Sequence, residues 1–336
     1  MHAPGGGRAP AAAVLVKSMP TDRIVRLTAI VAFLACSTLP AQENNAATSG
    51  STEAASSSQS GEGAANSTEA LQKATQNPVA NLISVPLQNN TNFGVGPYNG
   101  TQNVLNIQPV IPVHLTPNWN LINRVILPVA WQPYTGSNPA NASLGTFGLG
   151  DLNPTVFLSP AHPGKIIWGV GPAFVFPTAT DSTLGQGKWS IGPSFVVLAQ
   201  PGHWTLGLLA NNVWSFAGKS DRPTVNQFLA QYFINYNLSN GWYLTSAPII
   251  TANWAAPQAK NVWTVPFGAG VGRIMRVGFQ PINLQLSAYG NVAYPTGTSP
   301  WGIRLQLAFL FPQLTAKEQE LLLEERLKQL KDRPPD

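Results

Sequence analysis

The sequence has few charged residues, and beyond its N-terminal segment it has no long hydrophobic run. Only 10% of its 336 residues are charged, whereas an ordinary soluble domain has roughly 25%. Its mean hydropathy is nevertheless only +0.01, because neutral polar residues and glycine replace the missing charges. No apolar run reaches the ~18 residues that a transmembrane helix needs. A chain of this composition is expected to have one apolar face and one neutral polar face.

Cysteine and acidic residues are also scarce, and their scarcity excludes several kinds of site. The single cysteine, Cys36, lies in the N-terminal segment, so the rest of the chain can form neither a disulfide nor a thiolate metal site. Only three acids, Asp151, Asp181 and Asp221, occur between residues 80 and 312. We find no HExxH, P-loop or GxSxG motif, and no metal or cofactor is predicted. The basic residues do not form the clustered face of a nucleic-acid-binding protein, so no nucleic acid partner is predicted.

Residues 1–41 are typical of a targeting segment. Arg23 and Arg26 precede a short apolar stretch, and a passable cleavage site follows at Ala41. Together these features indicate a secretory signal peptide. The second methionine of the chain is an alternative start, and lipidation of Cys36 is an alternative to cleavage after Ala41.

Residues 78–312 alternate between apolar and polar side chains with a period of two. At the C-terminal end of this region, Trp301 and Ile303 fall on one face, and Arg304 on the other. Since successive side chains of a strand point to opposite faces, each such segment is predicted to be a strand with one apolar and one polar face. About twelve segments fit, and several reach the roughly nine to eleven residues that membrane-spanning strands need. They lie near residues 82–90, 102–115, 118–131, 149–160, 165–177, 188–200, 203–216, 226–238, 241–254, 261–273, 279–292 and 300–311.

The connections between these strands alternate between short turns and longer loops. Outer-membrane barrels have short periplasmic turns and longer external loops. We therefore predict an all-β fold, an antiparallel transmembrane β-barrel of about twelve strands in the outer membrane of a Gram-negative bacterium, surrounded by outer-membrane lipid. A soluble secreted β-sandwich or solenoid is the alternative.

The tryptophans support the barrel, because all ten share the alternation of the apolar residues. Three pairs are spaced so that they fall at the two ends of one strand, which matches an apolar band about 25 Å tall between two aromatic girdles. The predicted girdle residues are Trp119, Trp131, Trp168, Trp189, Trp204, Trp214, Trp242, Trp254, Trp263 and Trp301.

The polar faces of the strands are predicted to line the lumen. A lumen can hold charges only if they are paired or hydrated. We expect Asp151 to point inward near the external end of its strand, with Arg124 on the adjacent strand as its partner. The lining is either a structural polar network or a surface that selects permeants. The lumen-lining candidates are Asn106, Gln108, His114, Arg124, Asp151, Asn153, Gln231, Asn235, Asn283, Gln285, Arg304 and Gln306.

Two segments flank the predicted barrel. Residues 42–77 form a linker rich in serine, alanine and asparagine, which is predicted to be disordered because it has too little apolar surface to fold. Within it, residues 68–76 could form one short helix. Residues 313–336 begin with capping-box spacing and continue as a charged helix with a leucine stripe. We expect this helix to lie in the periplasm, where it docks on the barrel rim, binds a periplasmic partner or remains a loose tail.

Three segments resemble a known family. They are FGLGDLNPTVFLSP at 147–160, WGVGPAFVFPTATD at 168–181 and GQGKWSIGPSFVVL at 185–198. In combination they resemble the outer-membrane transporter-like β-barrel family labelled as meta-pathway of phenol degradation, whose members are also called transporters or neuromedin U. The resemblance covers roughly residues 70–312. It implies a barrel related to channels for hydrophobic compounds and no catalytic residues.

The sequence therefore predicts a porin-like outer-membrane channel for passive diffusion of small hydrophobic or aromatic solutes. The first alternative is a structural or partner-binding barrel with a filled lumen. The second is an outer-membrane hydrolase in which His114 acts with a serine. Because no strand shows a matching Ser-His-acid arrangement, the chain is predicted not to be an enzyme. The sequence leaves open whether the N-terminal tract plugs the lumen.

Overall fold

The computed structural model describes residues 68–312 of the chain. The predicted signal peptide, the linker up to residue 67 and the C-terminal helix predicted over residues 313–336 lie outside the described residues. No helix within residues 68–312 is long and apolar enough to cross a membrane.

The described residues form one antiparallel sheet of fifteen segments, preceded by a short helix, α1 (residues 68–75). The segments are β1 (Leu82–Val95), β2 (Gly100–Ile107), β3 (Val110–Thr116), β4 (Trp119–Pro133), β5 (Gly145–Leu149), β6 (Asn153–Pro160), β7 (Ile166–Val175), β8 (Lys188–Ala199), β9 (Trp204–Gly218), β10 (Asn226–Asn237), β11 (Trp242–Ser246), β12 (Ile249–Asn253), β13 (Trp263–Val277), β14 (Gln280–Ala293) and β15 (Trp301–Pro312). Short 3-10 turns lie at Pro139–Asn141, Ser239–Gly241 and Ala259–Asn261.

Three pairs of segments each form one barrel strand with a brief interruption. The interruptions are residues 108–109 between β2 and β3, 150–152 between β5 and β6, and 247–248 between β11 and β12. The first and third leave the pairing register unchanged. They contain Pro109 and Pro248, which lack the N–H that a sheet ladder requires. The fifteen segments therefore make twelve barrel strands.

The sheet closes on itself. β1 pairs with β15 from Leu82 opposite Pro312 to Phe93 opposite Trp301. Every barrel strand therefore has two neighbours, and full closure leaves no exposed edge. The predicted all-β fold, an antiparallel barrel of twelve strands, is confirmed.

The interruption between β5 and β6 is a β-bulge. Val129 of β4 lies opposite Leu149, and Ile126 lies opposite Asn153. One strand thus has an extra residue, and the alternation of its faces reverses there. Leu149 is 38% exposed, whereas Asn153 lines the interior. A single alternating strand over residues 149–160, as predicted, would put Leu149 and Asn153 on one face, and the bulge puts them on opposite faces.

The two ends of the barrel differ in their connections. The short-turn end holds the connections 117–118, 161–165, 200–203, 238–241 and 278–279. The long-loop end holds the connections 96–99, 134–144, 176–187, 219–225, 254–262 and 294–300. Since β1 starts and β15 ends at the short-turn end, helix α1 is also at this end.

Residues 68–81, which we call the plug, lie inside the short-turn end of the barrel. Val79 is 5% exposed and belongs to a cluster with inward-facing side chains of β4, β6, β8, β9 and β10. A Cβ atom at Gly169 would lie 3.1 Å from Val79 Cγ1, so glycine in β7 makes room for the plug. The other members of the Val79 cluster are Ile122, Phe157, Val196, Leu198, Leu209 and Phe233.

Helix α1 and the residues after it are held by a second apolar cluster and by side-chain hydrogen bonds. Leu71 and Ala74 pack against the cluster of Leu82, Tyr243, Ile274, Ala308 and Leu310. Gln72 Nε2 donates to the Trp242 carbonyl at 3.0 Å, and Gln76 Nε2 donates to Asn237 Oδ1 at 2.7 Å. The disordered linker predicted over residues 42–77 therefore does not reach residue 77, because residues 68–75 form a helix that packs against the barrel.

Candidate functional site

The interior between the plug and the long-loop end contains three neighbouring cavities. The inner cavity, about 360 Å³, lies on plug residues 74–78 and includes Arg124. The middle cavity, about 240 Å³, includes Arg304, and the outer cavity, about 460 Å³, lies at the rim around Thr135. Ile249 lines both the inner and the middle cavity. Gln102, Thr298 and Ser299 line both the middle and the outer cavity.

The inner cavity has one charged residue in its lining. This residue is Arg124 of β4, and its Nη2 donates to Gln108 Oε1 at 3.0 Å. Within residues 68–312, the one ion pair is Lys73 with Glu69 on helix α1, at 3.2 Å. Arg124 therefore has no carboxylate partner in the described part of the chain.

The middle cavity also has a single charged residue in its lining, Arg304 of β15. Its Nε donates to Asn90 Oδ1 at 3.0 Å, its Nη1 donates to the Ala247 carbonyl at 2.9 Å, and its guanidinium lies 4.9 Å from the centre of the Tyr289 ring. The Ala247 carbonyl lies next to Pro248, at the interruption between β11 and β12. The interruption thus supplies an inward-facing acceptor that fixes Arg304 across the lumen.

Asp151 occupies a different place from the one predicted. It is 7% exposed, in the bulge between β5 and β6. Its Oδ1 accepts from the Ala179 N–H at 3.2 Å, and its Oδ2 accepts from the Gln186 N–H at 2.6 Å. The expected partnership with Arg124 is wrong, because the bulge redirects Asp151 towards the loop 176–187, which its carboxylate fixes in place.

All three acids of the barrel line one pocket at the long-loop end, of about 580 Å³, together with Lys219 and Arg222. Arg222 donates to the carbonyls of Ser182 and Gly185. The Thr183 N–H and hydroxyl both donate to Asp181 at 2.8 Å and hold the pKa of that carboxyl below its usual value. This pocket is thus built mainly from groups that are already bonded to the loop backbone. No group of His, Cys, Asp and Glu residues within 68–312 is arranged to hold a metal ion.

The twelve lumen-lining candidates are distributed over several places. Six of them line the inner cavity: Asn106, Gln108, Arg124, Asn153, Gln231 and Gln306. Arg304 lines the middle cavity, and Asn235 is buried. Asn283 and Gln285 accept hydrogen bonds from the Tyr243 hydroxyl at 2.8 and 3.2 Å.

His114 lies at the end of β3, where it is exposed rather than enclosed in the lumen. Its Nδ1 is 2.8 Å from Asn120 Oδ1, and its Nε2 is 3.3 Å from Asn81 Nδ2 of the plug. Neither ring nitrogen is bonded to a serine among the described residues. The histidine predicted for the lumen therefore lies at the short-turn rim, where it contacts the plug.

The ten predicted girdle tryptophans fall in two rows. Eight are 39% to 47% exposed, and Trp119 and Trp131 are half-buried. Neighbouring rings touch within each row: Trp119 and Trp168 have ring centres 6.0 Å apart, and Trp254 and Trp263 have ring centres 5.2 Å apart. The row at the short-turn end is Trp119, Trp168, Trp204 and Trp242. The row at the long-loop end is Trp131, Trp189, Trp214, Trp254, Trp263 and Trp301.

Comparisons with known proteins agree with this architecture. No protein-family model and no curated protein matches the chain. A crystal structure of an outer membrane channel from Pseudomonas putida F1 is similar over 68% of this chain and 94% of that one, with a TM-score of 0.53 and 19% identity. The two chains share the fold of a closed antiparallel β-barrel. The predicted localisation in the outer membrane is confirmed at the level of this fold.

Two more distant similarities are to outer membrane phospholipase A from Escherichia coli and to a FadL homologue from Pseudomonas aeruginosa. The first covers 69% of this chain and 91% of the other, with a TM-score of 0.40 and 14% identity. The second covers 70% and 92%, with a TM-score of 0.32 and 11% identity. At this distance neither similarity assigns an activity to this chain.

The phospholipase similarity nevertheless corrects one prediction. The sequence predicts that the chain is not an enzyme, yet the solved structures similar to it include outer membrane phospholipase A. The prediction that the chain is not an enzyme is therefore wrong.

Proposed function

We propose that this protein is an outer membrane channel for passive diffusion of small hydrophobic or aromatic compounds. The observation that carries the proposal is the row of three cavities inside the closed barrel, which share lining residues from the outer rim to the plug. The similarity to an outer membrane channel supports it at the level of the fold. The resemblance of the sequence to a family named for phenol degradation supports aromatic compounds as the solutes.

The outward-facing side chains support an orientation in the membrane. Trp204 and Trp214 lie near opposite ends of β9. At about 3.3 Å per residue and a tilt of roughly 40°, their spacing matches an apolar band about 25 Å tall. Short turns face the periplasm in barrels of this kind, which puts the plug on the periplasmic side and the outer cavity outside.

The plug is the barrier that a solute must pass. Its apolar contacts around Val79 exclude water, but part of its polar contact with the barrel is incomplete. Gln76 Oε1 and Asn237 Nδ2 are buried without a hydrogen-bond partner, and each such atom costs about 1–3 kcal/mol. The plug is therefore held less firmly than a fully bonded segment, which favours its displacement during passage.

The proposal is tested with the full-length protein in planar bilayers and in liposomes. Native protein is expected to give a small conductance and to accelerate uptake of a radiolabelled aromatic solute over protein-free liposomes. A variant lacking residues 68–81 is expected to give a larger conductance and faster uptake than the native protein. Absence of conductance and of uptake in both proteins contradicts the channel.

The filled short-turn end favours a second candidate, a structural or partner-binding barrel. Val79 and its neighbours close that end with an apolar cluster. If the barrel only displays its loops or binds a partner, removal of the plug should lower stability without giving solute-dependent uptake. The same pair of proteins therefore separates the two functions.

A further inference from the structure

Charged side chains are divided between the lumen and the long-loop end. Arg124 and Arg304 are the charged residues that line the inner and the middle cavity. All three acids of the barrel instead line the pocket at the long-loop end, where Asp151 is bonded to backbone N–H groups. The lining of these two cavities thus carries two positive charges and no carboxylate. In surroundings of low dielectric, such a field favours anions over cations.

The two arginines differ in how many of their donors are used. Arg304 donates to Asn90 and to the Ala247 carbonyl, and it lies over the Tyr289 ring. Arg124 donates one side-chain hydrogen bond, to Gln108 Oε1 at 3.0 Å. A guanidinium carries five N–H donors, so most donors of Arg124 are left for water or for a bound group. Because an enclosed cation is costly without a partner, Arg124 indicates a place for an anion.

The wall opposite Arg124 combines apolar and amide side chains. β9 and β10 lie across the barrel from β4, beyond β6, β7 and β8. They contribute four apolar side chains to the lining, together with the amides of Asn211, Gln227 and Gln231. The apolar ones are Leu209, Val213, Leu229 and Phe233. The inner cavity holds about 360 Å³, and a cavity of roughly 150 Å³ already admits benzene. An aromatic ring with one acidic substituent therefore fits the space, with its ring against β9 and β10 and its charge at Arg124.

We infer that the inner cavity binds a small organic acid, with its carboxylate on Arg124 and its apolar body against β9 and β10. The planar guanidinium matches a carboxylate with two parallel hydrogen bonds. Arg304 in the middle cavity attracts the same charge one step earlier on the path from the rim. The inference rests on the proposed channel function and names its substrate class, aromatic or aliphatic carboxylates rather than neutral aromatics.

The experiment measures binding to the full-length protein in a neutral detergent by isothermal titration calorimetry. The probes are benzoate and its neutral analogue benzamide. We expect benzoate to bind more tightly, and Arg124→Gln to raise its dissociation constant roughly ten- to a hundredfold, because a charge-assisted pair of hydrogen bonds is lost. Arg276→Gln is the matched control, since Arg276 is exposed on β13 at the short-turn end, and it should leave binding unchanged.

A second variant keeps the arginine and blocks it. Gln108→Glu places a carboxylate where Gln108 Oε1 now lies, 3.0 Å from Arg124 Nη2. The new ion pair should compete with benzoate and weaken its binding by a similar factor, while benzamide is unaffected. This variant adds an ion pair to the lumen, so it is expected to fold even if Arg124→Gln does not.

Equal binding of benzoate and benzamide to the native protein overturns the inference, as does unchanged benzoate binding in Gln108→Glu. Competition by chloride alone, at equal concentration, would show a general anion site and overturn the assignment to organic acids. Benzoate binding without uptake in liposomes contradicts the proposed channel function but agrees with an organic-acid site at Arg124. Uptake of neutral aromatics without preference for benzoate contradicts the organic-acid site at Arg124 but agrees with the proposed channel function.

Discussion

The two halves of the lumen are built from different side chains. At the short-turn end, the space is filled by apolar contacts around Val79, and seven buried residues form one cluster there. Towards the long-loop end, amides, hydroxyls and two arginines join apolar side chains in the lining, and three cavities remain. Along its axis, one barrel thus separates the proposed barrier from the proposed recognition surface. The barrier depends on exclusion of water, and the recognition surface depends on unpaired charge.

The largest effect is expected from a charge placed in the barrier. In Val79→Asp, a carboxylate replaces a side chain that is 5% exposed in the apolar cluster, and an uncompensated buried ion costs several kcal/mol. The plug should leave the short-turn end, and the bilayer conductance should rise to that of the variant without residues 68–81. Val277→Asp is the control, because Val277 is 61% exposed. An unchanged conductance in Val79→Asp would mean that the plug is not the barrier.

The next largest effect is expected when an inward-facing and an outward-facing phenylalanine of the same barrel strand are compared. Phe157 of β6 is fully buried against the plug, whereas Phe147 of β5 is 70% exposed. Phe157→Ala should lower the free energy of unfolding by about 3–5 kcal/mol, and Phe147→Ala should lower it far less. Urea denaturation followed by tryptophan fluorescence in lipid vesicles measures both. Equal losses would show that the apolar cluster contributes no more than an exposed side chain on the outer surface of the barrel.

A smaller effect is expected at the long-loop end. Asp151→Asn removes the charge of a carboxylate that accepts two hydrogen bonds from the backbone of the loop 176–187. The amide has a single acceptor oxygen and keeps at most one of them, and a hydrogen bond to an ionised group is worth about 1.5–3 kcal/mol. Hydrogen exchange at Ala179 and Gln186 should become faster. Asp221→Asn is the control, since Asp221 is an exposed acid of the same pocket. Faster exchange in both variants would indicate a general charge effect.

The smallest effect is expected where the plug meets the barrel through incomplete hydrogen bonds. Gln76 and Asn237 share one bond and leave two buried atoms without partners. Replacing both by leucine should change the free energy of unfolding by about 1 kcal/mol or less, since removal of both partners of a buried pair is nearly neutral. Gln76→Leu alone should cost more, because Asn237 then loses its bond. A large loss in the double variant would mean that this pair holds the plug.

The barrel was predictable from the sequence because the residue patterns that specify it lie within single segments of the chain. Alternation with a period of two and the tryptophan spacing are visible in single segments, and the prolines at 109 and 248 interrupt the pairing without shifting its register. The place of Asp151 was not predictable from alternation, because one extra residue reverses the faces. Gly150 beside it was the available signal, since glycine within a strand often marks a bulge.

The plug and the arginine site depend on contacts between distant parts of the chain. The tract before β1 has few apolar residues, yet a single valine is enough to complete a cluster supplied by five strands. Likewise, alternation predicts that Arg124 points into the barrel. It does not predict that Arg124 bonds Gln108, or that Asp151, Asp181 and Asp221 all lie in another pocket. Both features arise from closure of the barrel, which brings together residues that no short segment contains.

The bulge at residues 150–152 reverses, within one barrel strand, which alternate positions should tolerate substitution. After the bulge, odd-numbered positions such as Thr155 and Phe157 are buried. Before it, the odd-numbered Phe147 and Leu149 are exposed on the outside of the barrel. A systematic substitution scan along this strand should therefore find the sensitive positions to be even-numbered before the bulge and odd-numbered after it. Deletion of Gly150 would remove the extra residue and turn the side chains of Phe147 and Leu149 into the lumen.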